Sequence, residues 1–327
     1  MDAMKPLLEW TVIGAGPAGI ASIGKLLDAG VTPNDILWID PNFTVGDFGT
    51  SWRYVNSNTA VEYFLNFYKQ CEVFCYNSKA HPPFMIDQVS PTKNCPLMIA
   101  AQPLMWITKC LIQKVNVLKD KVTGLTPEKH YWQLQLSSRK RLNTKKIILA
   151  IGANAKELHF ADTTSIPLAT ALNPIKLKKV IEPQDYIIVF GSAQSAKSVI
   201  ENLATLKTQK TILFYRSENS LHRHFSEDDI TRIETLKMTP QQLLEQMPQC
   251  TKAIYAIGFT RRHIPIQGLP ENYSYDHKTG EIAPGIFGLG IAFPEIMPYE
   301  LGQIEYPVSA IWPFMKRLNK LLPQWLN

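Results

Sequence analysis

Three glycines carry the first chemistry in the chain. The segment Thr11-Val-Ile-Gly14-Ala-Gly16-Pro-Ala-Gly19 runs an apolar stretch straight into Gly-x-Gly-x-x-Gly. Gly14 suits a tight turn, Gly16 lets backbone approach a pyrophosphate, and Gly19 lets the following helix pack closely on the strand. The first amides of such a helix are free donors at the positive end of a dipole, so Ala15 and Ala18, with Pro17 fixing the first helical turn without an N–H of its own, complete an anion cradle. Asp40, 26 positions beyond Gly14, ends the apolar run Ile36-Leu-Trp-Ile. A carboxylate there accepts the paired ribose hydroxyls of an adenosine. A free 2′-hydroxyl is implied, so this turn is expected to take FAD or NAD and not NADP.

The pattern recurs at Tyr186-Ile-Ile-Val-Phe-Gly191-Ser192-Ala193-Gln194-Ser195-Ala196. Alanines replace two of the glycines, and Ala193 adds a methyl where backbone should approach phosphate, which predicts a looser or displaced ligand. Counting 26 onward from Gly191 gives Ser217, with Arg216 beside it. A cation and a hydroxyl in place of the acid suit a ribose 2′-phosphate, so NADP(H) is expected here, with a solvated surface arginine as the alternative.

Both turns need the same support: an apolar parallel strand feeding each one and an amphipathic helix leaving it. The chain has room for two such units, since 327 residues most naturally make two domains. With 45% hydrophobic and 19% charged residues the composition is that of a globular protein. The formal charge of +6 is spread along the chain, so nucleic-acid binding, which needs a clustered basic face, is not expected. Five cysteines, Cys71, Cys75, Cys95, Cys110 and Cys250, include no Cys-x-x-Cys pair. That argues against a disulfide framework, a zinc site or a thioredoxin-type dithiol. Cys71 and Cys75 are spaced to share a helix face, though two buried apolar side chains is the simpler reading. No apolar run is long enough for a transmembrane helix and the first residues lack the apolar core of a secretory signal, so a cytoplasmic location is expected. The stretch Ala310–Leu326 has apolar and basic faces and is expected to be the last helix of the first domain, with membrane-surface contact disfavoured.

Two dinucleotide turns in one chain resemble the two-dinucleotide-binding-domain flavoproteins. Further marks support the resemblance in the right order. Lys145-Lys-Ile-Ile-Leu-Ala-Ile-Gly152 looks like the strand-and-glycine segment that leaves the first domain, and Thr251-Lys-Ala-Ile-Tyr-Ala-Ile-Gly258 looks like its counterpart after the second. Gly285-Ile-Phe-Gly-Leu-Gly290 sits where the family returns to the flavin, and the backbone of Val122 would by resemblance face the adenine. The resemblance implies an α/β protein with two Rossmann-like three-layer FAD/NAD(P)-binding domains, the second inserted into the first. The FAD domain is expected at residues 1–165 and 275–327 and a shortened NADP(H) domain at 166–274.

Within that family, Phe48-Gly-Thr-Ser51-Trp52-Arg-Tyr resembles the flavin-lining Gly-(Gly/Thr)-x-Trp segment of flavin-containing monooxygenases and N-hydroxylases. Asn58 falls near the asparagine those enzymes hold beside the reactive edge of the isoalloxazine; core packing for Trp52 and a turn role for Asn58 are the alternatives. The resemblance implies an NADPH-linked, FAD-dependent oxidoreductase, monooxygenase-like, passing hydride from NADPH to flavin and electrons on to oxygen or a small acceptor. A cysteine-independent flavin reductase and a flavin-binding regulatory protein are the other readings. The identifying Phe-x-Gly-x-x-x-His segment of the monooxygenases is replaced by His159-Phe160-Ala-Asp, which leaves the substrate open. From Tyr186 to Phe259 there are 74 residues, where a full nicotinamide domain needs roughly 100. Helix starts at Ser226 and Thr239 are expected to stand where further strands would be. No metal site is expected, and the oligomeric state is unassigned.

Overall fold

The structure is a computed structural model describing residues 7–78, 81–298, 305–308 and 310–327, with only the backbone described at 297–298 and 305–308. The chain divides into two compact units, 1–153 with 261–327, and 154–260.

In chain order the strands used below are β1 (Leu8–Ile13), β2 (Ile36–Ile39), β3 (Asn116–Leu118), β4 (Val122–Pro127), β5 (Trp132–Leu136), β6 (Arg141–Leu149), β7 (Thr164–Ile166), β8 (Tyr186–Phe190), β9 (Lys210–Tyr215), β10 (Glu234–Lys237), β11 (Lys252–Tyr255), β12 (Glu281–Ala283) and β13 (Ile286–Gly288). The main helices are α1 (Pro17–Asp28), α2 (Val61–Tyr68), α3 (Leu97–Ile112), α4 (Gln194–Leu203) and α5 (Ile311–Leu326).

The sheet of the first unit runs β12-β13-β6-β1-β2-β3, with β5 pairing β6 and β4 pairing β5. β1 pairs in parallel with both β2 and β6, in the registers Ile13↔Ile39 and Ile13↔Leu149, so three strands end at one level. Alternation along the strands assigns the two faces. Trp10 and Val12 of β1, with Trp38 of β2, point into a core shared with α1, α2, α3 and α5, while Ile13, Leu37 and Ile39 point into a second core with β4, β5 and the segment around Ile264 and Tyr273. β6 serves both arrangements because it is long: Arg141–Thr144 pairs antiparallel with β5, and Thr144–Leu149 parallel with β1. Helix α5 packs on α1 and buries Ile311, Phe314, Met315, Leu318, Leu321, Leu322 and Trp325. Its apolar face is therefore occupied by the core, and no described helix is long and apolar enough to cross a membrane.

The second unit is a five-stranded parallel sheet in the order β10-β9-β8-β11-β7. Every residue of β8 is buried, as the central strand of a sheet covered on both faces requires. Phe190 is the hub of one face, with ring centroids 5.9 Å from Phe160, 5.5 Å from Phe214 and 5.0 Å from Tyr255. Helix α4 packs on β8 and buries Ala196, Val199, Ile200 and Leu203.

Three details depart from the sequence reading. The units meet at 153/154 and 260/261, where the sequence suggested about 165 and 275. The reason is pairing: the short strand at 164–166 joins β11 in the second sheet, and Ile264, Ile266 and Tyr273 fill the core of the first unit. The region after Arg216 holds a strand as well as the expected helices, because Glu234–Lys237 pairs along β9. Cys71 and Cys75 do not share a helix face; they flank a single 3-10 turn, Glu72–Phe74, with Cys71 buried and Cys75 exposed in a left-handed conformation.

Candidate nucleotide sites

The first turn is fixed by a small set of backbone bonds at the carboxyl ends of β1, β2 and β6. Gly14 N–H donates to Ile39 O at 2.8 Å, and Ala150 N–H to Ile13 O at 2.9 Å. Gly14 has φ +106°, and a methyl built on it would lie 2.3 Å from Ala150 O. A methyl on Gly19 would lie 1.9 Å from Gly14 O, so the first turn of α1 rests directly on the bend. Trp38 Nε1 donates to that same oxygen at 2.9 Å. Gly16 differs from both: nothing lies within 4 Å of its added methyl. Two glycines are thus demanded by the protein's own packing, and the middle one opens onto the space above the turn. Helix α1 starts at Pro17 with no side-chain cap, so the amides of its first turn remain donors.

Asp40 stands at this turn, but its carboxylate already has partners. Oδ2 accepts Ala15 N–H at 2.8 Å, and Oδ1 accepts Asn42 N–H at 2.8 Å and Phe43 N–H at 2.7 Å. The acid therefore orders the glycine turn and the loop after β2. That loop carries two non-glycine residues in the left-handed region, Phe43 (φ 53°) and Val45 (φ 63°). It brings Gly46 so close that a methyl there would lie 3.3 Å from Gly16 Cα. Next to it Asp47 pairs with Arg262 at 2.7 Å, and Arg262 N–H donates to Gly152 O at 3.1 Å. Gly290 reaches the helix start, since a methyl on it would lie 2.7 Å from the Ala18 methyl.

Gly14–Gly19, Asp40, Gly152 and Gly290 are thus gathered around one turn, together with Gly46 and Asp47, which the sequence did not nominate. Only the Gly-Asp dipeptide hinted at a bend there. Ser51 reaches this cluster through Asp47, whose Oδ1 lies 3.4 Å from Ser51 Oγ, and Trp52 N–H donates to Asp47 O at 3.0 Å. Val122 is a buried residue of β4 whose side chain packs in the second core. Asn58 is exposed, on a loop held by Ser57: Ser57 N–H donates to Cys95 O at 2.9 Å, and Ser57 Oγ donates to Thr59 O at 2.6 Å.

The second turn repeats the two strand-end backbone bonds of the first. Gly191 N–H donates to Phe214 O at 2.8 Å and Ala256 N–H to Phe190 O at 2.7 Å. Gly191 has φ +122°, and a methyl on it would lie 2.2 Å from Ala256 O. Gly258 (φ 98°) follows Ala256 as Gly152 (φ 73°) follows Ala150. Ala196 replaces Gly19 and is fully buried. Ala193 replaces Gly16, caps α4 with φ −102° and ψ −175°, and is exposed. Ser192 is buried, and Gln194 and Ser195 are half-buried at the helix start. Arg216 lines a cavity of about 360 Å³ with Ala155, Lys156, Glu157, Leu158, Ile257 and Thr260. Ser217 follows Arg216; its hydroxyl accepts Ser220 N–H at 3.4 Å and caps the helix Glu218–His224.

Titratable groups elsewhere are structural. Asp229 is held down to about 2 by the Ser226 amide, the Ser226 hydroxyl and Lys197, and Lys197 joins α4 to the helix Glu227–Thr231 at 3.1 Å. Burial, with Arg223 and Lys197 nearby, lowers the His224 imidazole. Burial raises the Cys250 thiol to about 11. Among the described residues no group of three His, Cys, Asp or Glu side chains is placed to hold a metal ion.

Two α/β units, one inserted in the other along the chain, are each built around a strand-turn-helix whose glycine N–H bonds the neighbouring strand, and this fold is shared by the solved structures that the chain resembles. No family model matches the chain. It is similar to the protein named Monooxygenase AgnR1 of Paecilomyces divaricatus, at 25% identity across 96% of this chain and 97% of that one. Among solved structures it resembles L-lysine 6-monooxygenase from Pseudomonas syringae (TM-score 0.64, 14% identity, 98% of this chain and 100% of that one). It also resembles a flavin-containing monooxygenase from Stenotrophomonas maltophilia (TM-score 0.60, 12% identity, 98% of each chain) and the bacillithiol disulfide reductase of Staphylococcus aureus (TM-score 0.61, 11% identity, 98% of each chain).

Proposed function

We propose that this protein is an FAD-dependent, NADPH-linked oxidoreductase of the monooxygenase type. The observation that carries the reading is the pair of like-built turns, the first with an open side at Gly16 and the second beside a cavity bearing Arg216. The residues of the first turn fit an FAD pyrophosphate. Gly16 leaves room for it, the amides of Ala18 and Gly19 supply donors, and Gly46 and Gly290 wall the space without side chains. Asp40 orients the Ala15 amide and offers the remaining edge of its carboxylate to a ribose.

When bound, the flavin supplies the two-electron chemistry between reduced nicotinamide and oxygen or a small acceptor. The chain's own contribution is to bind and orient. Arg216, at the carboxyl end of β9, receives the 2′-phosphate of NADPH, and the Gly191–Ala196 turn receives its pyrophosphate. Asn58 is assigned to the reactive edge of the flavin, where an amide hydrogen-bonds without titrating. Ser51, Trp52, Gly152 and the Val122 backbone are assigned to the same cofactor. The likeness to Monooxygenase AgnR1 favours oxygen as acceptor, and the free, separated cysteines disfavour a dithiol relay.

Purified protein mixed with FAD is expected to absorb at about 450 nm, to bleach under NADPH without air, and to form a transient oxygen adduct when air is admitted. Colourless protein after FAD addition refutes the reading. Bleaching followed by immediate peroxide release replaces the monooxygenase reading with that of a flavin reductase. Colour that persists under NADPH makes the second unit a scaffold.

A further inference from the structure

The cavity of the second unit carries two cations. Arg216 approaches from the end of β9, and Lys156 comes from the wall Ala155–Leu158. The backbone at Lys156 is anchored, since its N–H donates to Gly258 O at 2.9 Å. Lys156 thus lines the cavity from a backbone point fixed next to the end of β11. Ser217, which spacing nominates as the partner of Arg216, accepts Ser220 N–H at the cap of Glu218–His224 and keeps its own proton to donate. Glu157 is the one acid among the lining residues, and its Oε2 lies 3.4 Å from Ser165 Oγ. The remaining lining is Ile257, Leu158 and Ala155, which are apolar, and the hydroxyl-bearing Thr260. At about 360 Å³ the space lies at the small end of ligand pockets, which span roughly 300–1,000 Å³, and can take one end of a dinucleotide.

We infer that Lys156 is the second cation of the 2′-phosphate site and sets the preference for NADPH over NADH together with Arg216. This assignment rests on the proposed function of the second unit. The two residues play different parts. The arginine fork fixes orientation through paired donors, while the lysine is a mobile point charge that neutralises the dianion. The apolar wall of Ile257 and Leu158 takes the adenine face. Glu157 adds a like charge to the lining, which the second cation offsets.

The test is calorimetric titration of 2′,5′-ADP and of 5′-AMP into wild type, Lys156→Met, Lys156→Arg and Arg216→Met. The assignment expects Lys156→Met to weaken 2′,5′-ADP by about tenfold or more while leaving 5′-AMP within about twofold, and Lys156→Arg to restore most of the loss. Lys156 is exposed, so all variants should keep the wild-type melting temperature. Unchanged 2′,5′-ADP binding in Lys156→Met, or equal weakening of both probes, overturns the role of Lys156 even where Arg216→Met confirms a 2′-phosphate site. A wild-type protein that does not prefer 2′,5′-ADP overturns the NADPH reading itself, and the two failures are thereby told apart.

Discussion

Replacing Gly16 by alanine separates the needs of the fold from the needs of the ligand. Gly16 has φ −76°, which any residue adopts, and its added methyl meets nothing within 4 Å. The apoprotein should therefore keep or slightly gain stability, by up to about 1 kcal/mol, because alanine narrows the unfolded ensemble. The ligand feels the methyl directly. A pyrophosphate kept away from the turn loses a charge-assisted bond to backbone amide, worth about 1.5–3 kcal/mol. That corresponds to a 10- to 150-fold weaker Kd for FAD, taking about 1.4 kcal/mol per decade. Gly19→Ala is the contrasting control: its methyl would lie 1.9 Å from a backbone oxygen, so the fold itself should fail. The assay pairs the melting temperature of the apoprotein with flavin-fluorescence titration. The reasoning is refuted if Gly16→Ala binds FAD as wild type does, or if it melts as early as Gly19→Ala. The second unit provides the reverse case, since Ala193 carries this methyl naturally and is exposed. Ala193→Gly should tighten NADPH several-fold at a stability cost of about 1 kcal/mol or less.

Other expectations concern charge and thiols. The Lys252–Asp185 pair, 2.6 Å apart with side chains 17% and 5% exposed, should cost about 3 kcal/mol when Lys252→Met strands the carboxylate, read as a fall in melting temperature. Burial alone would raise the Asp185 carboxyl, but Lys252, the Glu182 amide and the Thr251 hydroxyl outweigh it and hold it below the usual range. A lowered acid stabilises the fold fully above its unfolded pKa of about 4 and loses that contribution as pH falls through the lowered value. Asp185→Asn should accordingly flatten the loss of stability on acidification, and an acid slope equal to wild type would count against the pairing. With a limiting thiol reagent the exposed Cys75 should react first, while buried Cys71, Cys95 and Cys250 resist; Cys75→Ser should leave flavin reduction by NADPH unchanged, whereas its loss would indicate a thiol relay. Asp47→Asn should weaken FAD about threefold by releasing Arg262 from the loop beside Gly16, a half-exposed pair contributing up to about 1 kcal/mol.

The parts of this fold that could be read from sequence are those where sterics leave one solution. Gly14, Gly19 and Gly191 sit where a methyl would strike a backbone oxygen, so their spacing announces both turns. Asp40 was located by the same spacing, yet its three amide partners depend on how the loop after β2 folds back, which no local pattern records. The strands at 164–166 and 234–237 escaped notice because each is short and carries polar residues; only their pairing with β11 and β9 makes them strands. Cys71 is buried, as the simpler reading expects of both thiols, but Cys75 is exposed because a 3-10 turn and not a helix separates them. Gly46, Asp47 and Arg262 meet through a contact spanning more than two hundred residues of chain, which a single sequence does not reveal.

The division of the first unit around the second has a consequence for biosynthesis. β13 completes the sheet beside β6, and Trp325 of α5 stacks on Phe287 with ring centroids 4.7 Å apart. Both lie beyond residue 260, so a nascent chain holds β1, β2 and α1 without their cover while the whole of 154–260 is being made. The inserted unit, begun second, is therefore the first able to finish folding, ahead of the unit with which the chain begins. Until α5 arrives, the surface of α1 on which it packs stays uncovered.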